Sequence, residues 1–332
     1  MRWSEEKARE WYKGVGRIIG CNYFPATAIN STEMWQEADY DPETIRRELA
    51  LAASAGYNSV RVLLQFIVWE AERESFMANF QDFLEIADSK GISVMPIFFD
   101  DCAFSGKEPY LGKQDAPRPG VHNGGQTPSP GRGVADDPAK ETALRMYVQS
   151  VIKEYKDDRR VLVWDLYNEP GNCGRGEKCL PLLRNVFKWA REIDPVQPLT
   201  AGLWAFQDFE LEFAELSDLV SYHDYWPLNE SIPRLEGLKA YKRPILCTEW
   251  LHRARGNAFE SHFPFFMREK IGAYNWGLVL GKTQTNLNWS TISGDPEPNP
   301  AVWQHDIFYP DFTPYDEKEL KIIREYAAKN PH

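Results

Sequence analysis

Short apolar runs rich in β-branched and aromatic residues recur along the chain. They fall at Arg17–Asn22, Ser59–Leu64, Ile92–Phe98, Val161–Tyr167, Leu199–Trp204, Leu219–Tyr225, Ile245–Glu249 and Gly272–Val279. Runs that are apolar throughout, rather than alternating, predict strands of a parallel sheet buried on both faces. Between them the apolar positions move to helical spacing. Leu144, Tyr147, Val148, Val151, Ile152 and Tyr155 fall on one stripe of a helix. So do Phe76, Phe80, Phe83, Leu84 and Ala87, and again Leu182, Leu183, Val186, Phe187, Ala190 and Ile193. Asp41-Pro42 and Asp137-Pro138 each place a capping side chain before a proline, the pattern of a helix start. Gly56 and Gly91 stand where the helices before them should stop.

Eight strands alternating with helices predict an α/β fold, a (β/α)8 TIM barrel spanning 1–332 as a single domain. An open doubly wound sheet would want a Gly-rich phosphate turn after an early strand. Gly14-Val15-Gly16 precedes the first strand instead. The main irregular stretch, Asp100–Asp137, holds seven Gly and five Pro. It follows the third strand, so in a barrel it lies at the C-terminal face, where long loops shape substrate sites. It either blocks one end of a cleft or lines an open groove.

Two glutamates end two of these strands. Trp164-Asp165-Leu166-Tyr167 runs into Asn168-Glu169-Pro170, and Ile245-Leu246-Cys247-Thr248 runs into Glu249-Trp250. Polar groups at the end of a buried strand are costly unless they are used. In a barrel these are strands four and seven, and both ends open into the same mouth. Glu169 and Glu249 can therefore converge although 249 − 169 = 80 positions separate them. A pair of carboxyl groups, one protonated and one ionised, is the minimal apparatus for cleaving a glycosidic bond.

With these motifs the chain resembles the retaining (β/α)8-barrel glycoside hydrolases of the clan containing family 5, a cellulase- and mannanase-like group. The most specific element is Trp164-Asp165-Leu166-Tyr167-Asn168-Glu169-Pro170 together with Glu249-Trp250. The resemblance implies a β-glycoside hydrolase acting by double displacement on β-linked oligo- or polysaccharides. Glu169 would be its acid/base and Glu249 its nucleophile. It further implies that Arg61 holds the nucleophile ionised and that Asn168 meets the sugar 2-hydroxyl. By the same likeness His223 supports the acid/base, Tyr225 bonds the nucleophile and Trp276 floors the sugar subsite. Trp35, Trp204, Trp226 and Trp250 also fall at or after strand ends and are candidates for stacking on sugar rings. Many family 5 members carry a His near the end of the third strand. Here that segment reads Phe98-Phe99-Asp100-Asp101, which leaves Asp100, or His122 from the next loop, to take its place. Asn22, Lys282 and Gln284 are further polar candidates near strand ends.

Composition narrows the alternatives. The net charge of −11 disfavours a nucleic-acid partner, and no apolar run is long enough to span a membrane. Core packing accounts for some of the 12 Trp, and others suit stacking on flat ligand faces; the carbohydrate partner is what the resemblance implies. The opening residues, MRWSEEKAREWYKG, lack a signal-peptide pattern, which fits a cytoplasmic chain or one whose leader has been removed. The six His form no HExxH or other metal spacing, and no nucleotide motif is present, so neither metal nor cofactor is expected. Asn30, Asn229 and Asn288 begin Asn-x-Ser/Thr triplets, which occur often by chance. Among the five Cys, Cys21 and Cys247 read as buried thiols, whereas Cys173 and Cys179 either pair or stay reduced. Three other readings stay open: a non-catalytic carbohydrate-binding barrel, an exo-acting glycosidase on small glycosides, and a metal-dependent hydrolase or aldolase on the same fold.

Overall fold

The computed structural model describes residues 1–329. Its sheet is parallel throughout: β1 (Ile19–Asn22), β2 (Ser59–Leu63), β3 (Ser93–Asp100), β4 (Trp164–Asn168), β5 (Leu199–Thr200), β6 (Gly202–Leu203), β7 (Val220–Asp224), β8 (Ile245–Trp250) and β9 (Gly272–Trp276). The order is β5-β4-β3-β2-β1-β9-β8-β7-β6. The two outer members, β5 and β6, are halves of one run interrupted only at Ala201, so the sheet closes on itself as a barrel. The predicted strand Leu199–Trp204 is thus one barrel stave in two pieces.

Other boundaries move by a few residues. β3 continues to Asp100, past the predicted end at Phe98, and this carries an acidic side chain onto the strand. The last stave stops at Trp276 rather than Val279, because Gly277 turns the chain with φ of 77°. Asp41 caps its helix by accepting from the Thr44 amide at 3.0 Å, with Pro42 in the first turn. Asp137-Pro138 opens a short 3-10 turn, Pro138–Lys140, that leads into the helix Glu141–Tyr155. Gly56 ends its helix in the left-handed region at φ 105°.

The barrel has two cores. The larger packs the outer faces of the strands against the helices, with Phe76, Phe80, Phe83, Tyr147, Val151 and Leu183 inside it. The smaller fills the lower lumen with Ile18, Met95, Val163, Leu219, Leu246 and Tyr274. Trp11, Tyr12 and Val15 of the helix Glu5–Val15 pack beneath this layer and plug the N-terminal mouth. Above it the lumen turns polar: Ser59 and the Tyr274 hydroxyl pair at 2.9 Å, and Thr200 and Ser221 at 2.7 Å. Polar side chains rising toward the open end prepare the lumen for charged groups at the C-terminal mouth.

Gly20 is a steric requirement of this packing. A methyl group there would meet the Tyr274 ring at 2.2 Å. Gly20→Ala is expected to cost about 1–3 kcal/mol, as overpacked cores do. Urea unfolding monitored by fluorescence measures it, and an unchanged midpoint would show that Tyr274 moves freely aside.

Candidate active site

The strand ends converge on Arg61, which is buried in the upper lumen on β2. Its guanidinium donates to Asp165 at 2.9 Å from Nε, to Asn22 at 2.7 Å and Glu249 at 2.8 Å from one terminal nitrogen, and to Asn168 at 2.6 Å from the other. These partners lie on β4, β1, β8 and β4 respectively. Burial disfavours the Arg61 charge, but the Asp165 and Glu249 carboxylates outweigh it and hold the pKa above the ordinary arginine value. Asp165 is pushed up by burial against the opposing pull of Arg61.

Glu249 receives a second donor on its other oxygen, the Tyr225 hydroxyl at 2.8 Å. Both of its oxygens are therefore fixed, one by Arg61 and one by Tyr225. Glu169 lies opposite. His223 Nδ1 stands 2.6 Å from one Glu169 oxygen and 3.5 Å from the Tyr225-bonded oxygen of Glu249. Cys102 Sγ donates to the other Glu169 oxygen at 3.1 Å, and the Asn172 amide also bonds that oxygen. Glu169, His223 and Glu249 each offer an atom within 4.8 Å of the other two.

Proton affinities follow from these contacts. Burial pushes Glu169 up, yet the hydrogen bond and charge of His223, with Cys102 and Asn172, bring it below the ordinary carboxylate value. Burial pushes His223 down, yet the Glu249 charge and the Glu169 bond raise it above the ordinary imidazole value. Asp100, at the end of β3, accepts from Asn168 at 2.8 Å, Gln126 at 2.6 Å and the Cys102 amide at 3.0 Å. Burial nonetheless lifts it to about 7. One Asn168 amide hydrogen is thus engaged by Asp100, which sets the orientation of that side chain.

The remaining candidates divide. Trp276 lines the cleft, its ring nearly parallel to those of Phe24 and His305 at centroid distances of 6.1 Å and 5.8 Å. Trp204, Trp226, Asn22 and His122 line it too. Glu210 holds the Trp204 loop by accepting from the amides of Trp204 at 2.8 Å and Phe206 at 3.1 Å. Trp35 and Trp250 are fully buried in the core and do not line the cleft. Trp35 donates to the Leu63 carbonyl and packs on Phe80 and Phe83, while Trp250 packs on Phe259 and Phe266. A strand-end position alone does not say which way an indole points. Lys282 pairs with Glu33 on the surface, and Gln284 bonds the Arg118 carbonyl and the Gly120 amide, so neither faces the cleft. Asn30 is a buried helix cap and Asn288 is also buried, so neither offers a surface amide. Cys173 and Cys179 are both free thiols.

Among the cleft residues that escaped the sequence reading are Cys102, Asn172, Phe24 and Trp289. Cys102 and Asn172 follow the ends of β3 and β4 within four residues, which was a usable signal. Trp289 comes from a loop whose path the sequence does not reveal.

No protein-family model and no curated protein sequence matches the chain. Solved structures do. GH5_18 from Streptomyces cattleya, crystallised with GlcNAc, aligns with a TM-score of 0.62 at 14% identity, covering 95% of this chain and 82% of its own. A glycoside hydrolase family 5 mannosidase from Rhizomucor miehei aligns at 0.58 and 14% identity, over 94% and 92%. The endo-β-1,4-mannanase of Thermotoga petrophila aligns at 0.59 and 12% identity, over 94% and 76%. The chain therefore shares the (β/α)8 barrel fold of these structures.

Removing the central cation should be far costlier than removing a surface one. Arg61→Met would leave two buried carboxylates unpaired and is expected to destabilise by about 3–5 kcal/mol. Arg184→Met, which breaks the exposed pair with Glu212, is expected to cost under about 1 kcal/mol. Paired urea denaturation curves measure both, and equal shifts would contradict the electrostatic reading of the site.

Proposed function

We propose that the chain is a retaining β-glycoside hydrolase. The observation that carries this is the spacing of its two carboxyl groups, whose nearest oxygens lie within 4.8 Å. Retaining enzymes hold theirs about 5–5.5 Å apart, whereas inverting enzymes need about 6.5–9.5 Å to seat a water.

Glu249 attacks the anomeric carbon with the oxygen that Tyr225 and Arg61 leave aligned. The glycosidic oxygen leaves with a proton from Glu169, and a glycosyl ester forms on Glu249. A water then attacks that ester carbon, losing its proton to Glu169, and the sugar departs with its β configuration. The low proton affinity of Glu169 beside His223 fits this scheme when the two are treated as one unit. The His223–Glu169 pair holds a single proton, and a proton on Nδ1 is one short hydrogen bond from the carboxylate that must deliver it. The Glu249 charge helps hold that proton in the resting site. Ester formation removes this charge, so the proton is held less tightly as it is needed elsewhere. Asn168, fixed by Arg61 and Asp100, supplies the polar contact beside the reacting carbon, and Trp276 supplies an apolar floor.

A metal-dependent reaction on the same three side chains is the competing chemistry. Arg61 already donates to Glu249 at 2.8 Å, so a second cation there would be repelled by a buried positive charge. A non-catalytic binding barrel would have no use for two carboxylates held in this alignment. Because neighbours include proteins named mannosidase and mannanase, and one was crystallised with Manβ1-4GlcNAc, β-mannosides are the first substrates to try.

Glu249→Ala should lower turnover of aryl β-glycosides to background, and added azide should yield a glycosyl azide of α configuration. Full activity in that variant, with or without azide, would defeat the assignment. The pH dependence gives a separate check. Loss of the pair's proton sets the basic limb of kcat/KM, so that limb should lie above the ordinary imidazole value of about 6.5. The same shift makes a stability contribution from His223 that is complete below about pH 6.5 and fades as pH rises through the higher folded value. A basic limb below 6.5 would separate His223 from the proton that Glu169 delivers.

A further inference from the structure

The loop after β3 does not lie beside the cleft; it crosses the barrel mouth. In the sheet, β2 and β1 separate β3 from β9. Yet this loop bonds the loop after β9 repeatedly. The Asn123 amide donates to the Thr283 carbonyl at 2.8 Å, His122 Nδ1 to the Leu287 carbonyl at 2.6 Å, the His122 amide to Thr291 at 2.9 Å, and Gln284 to the Arg118 carbonyl at 2.8 Å. The loop after β1 joins both. Asn30 bonds Gln114 and the Gly125 carbonyl, and the Lys282 amide donates to the Ala26 carbonyl. Gly125 has no side chain because one would meet Ile29 at 2.3 Å. Three loops thus form a continuous wall above β1, β2 and β9.

The wall's position relative to the carboxyl groups has a chemical meaning. Protonation by Glu169 places the leaving group on the side of the β4 end. The sugar whose anomeric carbon meets Glu249 would then lie on the other side, toward Trp276, which lines the cavity near the end of β9. The wall would bound the cavity beyond that sugar. On the leaving-group side the half-buried Trp204 and Trp226 line the cavity. The whole cavity is about 520 Å³, within the roughly 300–1,000 Å³ of small-ligand sites.

The wall also carries a recognition group. His122 Nδ1 faces a carbonyl, so Nδ1 bears the hydrogen, and burial lowers the imidazole pKa to about 4, which keeps it neutral. Nε2 is then an acceptor. It has no hydrogen-bond partner among the described residues, and His122 lines the cavity.

Resting on the glycosidase reading, we propose that the enzyme is exo-acting. One non-reducing terminal sugar enters the closed end, a terminal hydroxyl donates to His122 Nε2, and the rest of the substrate extends past Trp204 and Trp226. Tetrasaccharides of β-1,4-linked mannose, glucose and xylose, each labelled at the reducing end, test this by chromatography over time. The expected result is stepwise passage through labelled trimer and dimer, with free monosaccharide as the unlabelled product. His122→Phe preserves the wall's bulk and should lower kcat/KM for the same substrate about ten-fold, the worth of one hydrogen bond. Release of an unlabelled disaccharide or trisaccharide at early times would overturn the inference. If Glu249→Ala abolishes that internal cleavage, the glycosidase reading survives while exo action falls. An absence of turnover on every tetrasaccharide and every aryl glycoside would overturn both.

Discussion

Everything at the mouth of this barrel is arranged around one buried guanidinium. Arg61 projects into the upper lumen and donates to side chains from three neighbouring parts of the sheet, β1, β4 and β8. Isolated, such a charge would be prohibitively expensive there. Its two carboxylate partners make it tolerable, and it makes them tolerable in return. The planar fork of arginine suits this, because its donors leave in fixed directions. A lysine at position 61 would present one mobile point charge and leave Asn168 or Asp165 without its donor. The apolar lower lumen is the complementary half of the design. Ile18, Met95, Val163, Leu219, Leu246 and Tyr274 exclude water from beneath, so the charges above act in a poorly screened environment.

That environment explains why two carboxylates so close together behave differently. Glu249 is held on both oxygens by fixed donors, Arg61 and Tyr225. Glu169 faces a group that itself titrates, His223. One carboxylate is thus locked and the other is coupled to a proton store. Cys102 gives Glu169 a weak third donor, and its thiol is pushed up by burial with Asp100 and Glu169 adding to the effect. A neutral thiol stabilises the carboxylate without competing for the proton, as a second imidazole would.

The closed barrel was readable in the chain because burial on both faces leaves an uninterrupted apolar signature, and because β-turn-helix boundaries carry Asp, Pro and Gly at prescribed places. Strand ends were legible only to a few residues, and there the reading was weakest where it mattered. Asp100 stood out as the first charged residue after the apolar run of β3, whereas Cys102 lies two residues beyond the end of that strand. Glu169 and Glu249, which the structure brings together, stood out because a charged residue ending a buried strand is anomalous. Trp35 and Trp250 met the same positional criterion, yet they point outward into the helical layer. Trp250 follows Glu249 on β8, so alternation turns its ring away from the lumen, whereas Trp35 lies on a helix after β1, where strand alternation gives no guide. Loop crossings such as His122 to Leu287 join positions 165 residues apart and leave no local trace.

Backbone strain falls at one of the two opposed carboxyl groups. Glu169 has φ of 42°, in the left-handed region that a non-glycine residue enters at a cost of about 1–3 kcal/mol. The surroundings enforce it. Asp101 accepts from the Gly171 amide at 2.8 Å and the Tyr167 hydroxyl at 2.9 Å, and pairs with Arg175 at 2.9 Å, so the turn is gripped on both sides of Glu169. Gly171 takes φ of 90° and packs a bare backbone against Phe209, where a methyl group would sit 3.0 Å from the ring. A relaxed backbone at position 169 would carry its carboxyl group along a different direction, away from His223 and Asn172. The strain is therefore tied to where the Glu169 oxygens sit, in the same way that the Arg61 fork is tied to where the Glu249 oxygens sit. Two opposed carboxyl groups need two independent rigid supports, and the barrel supplies one from its lumen and one from the turn after β4.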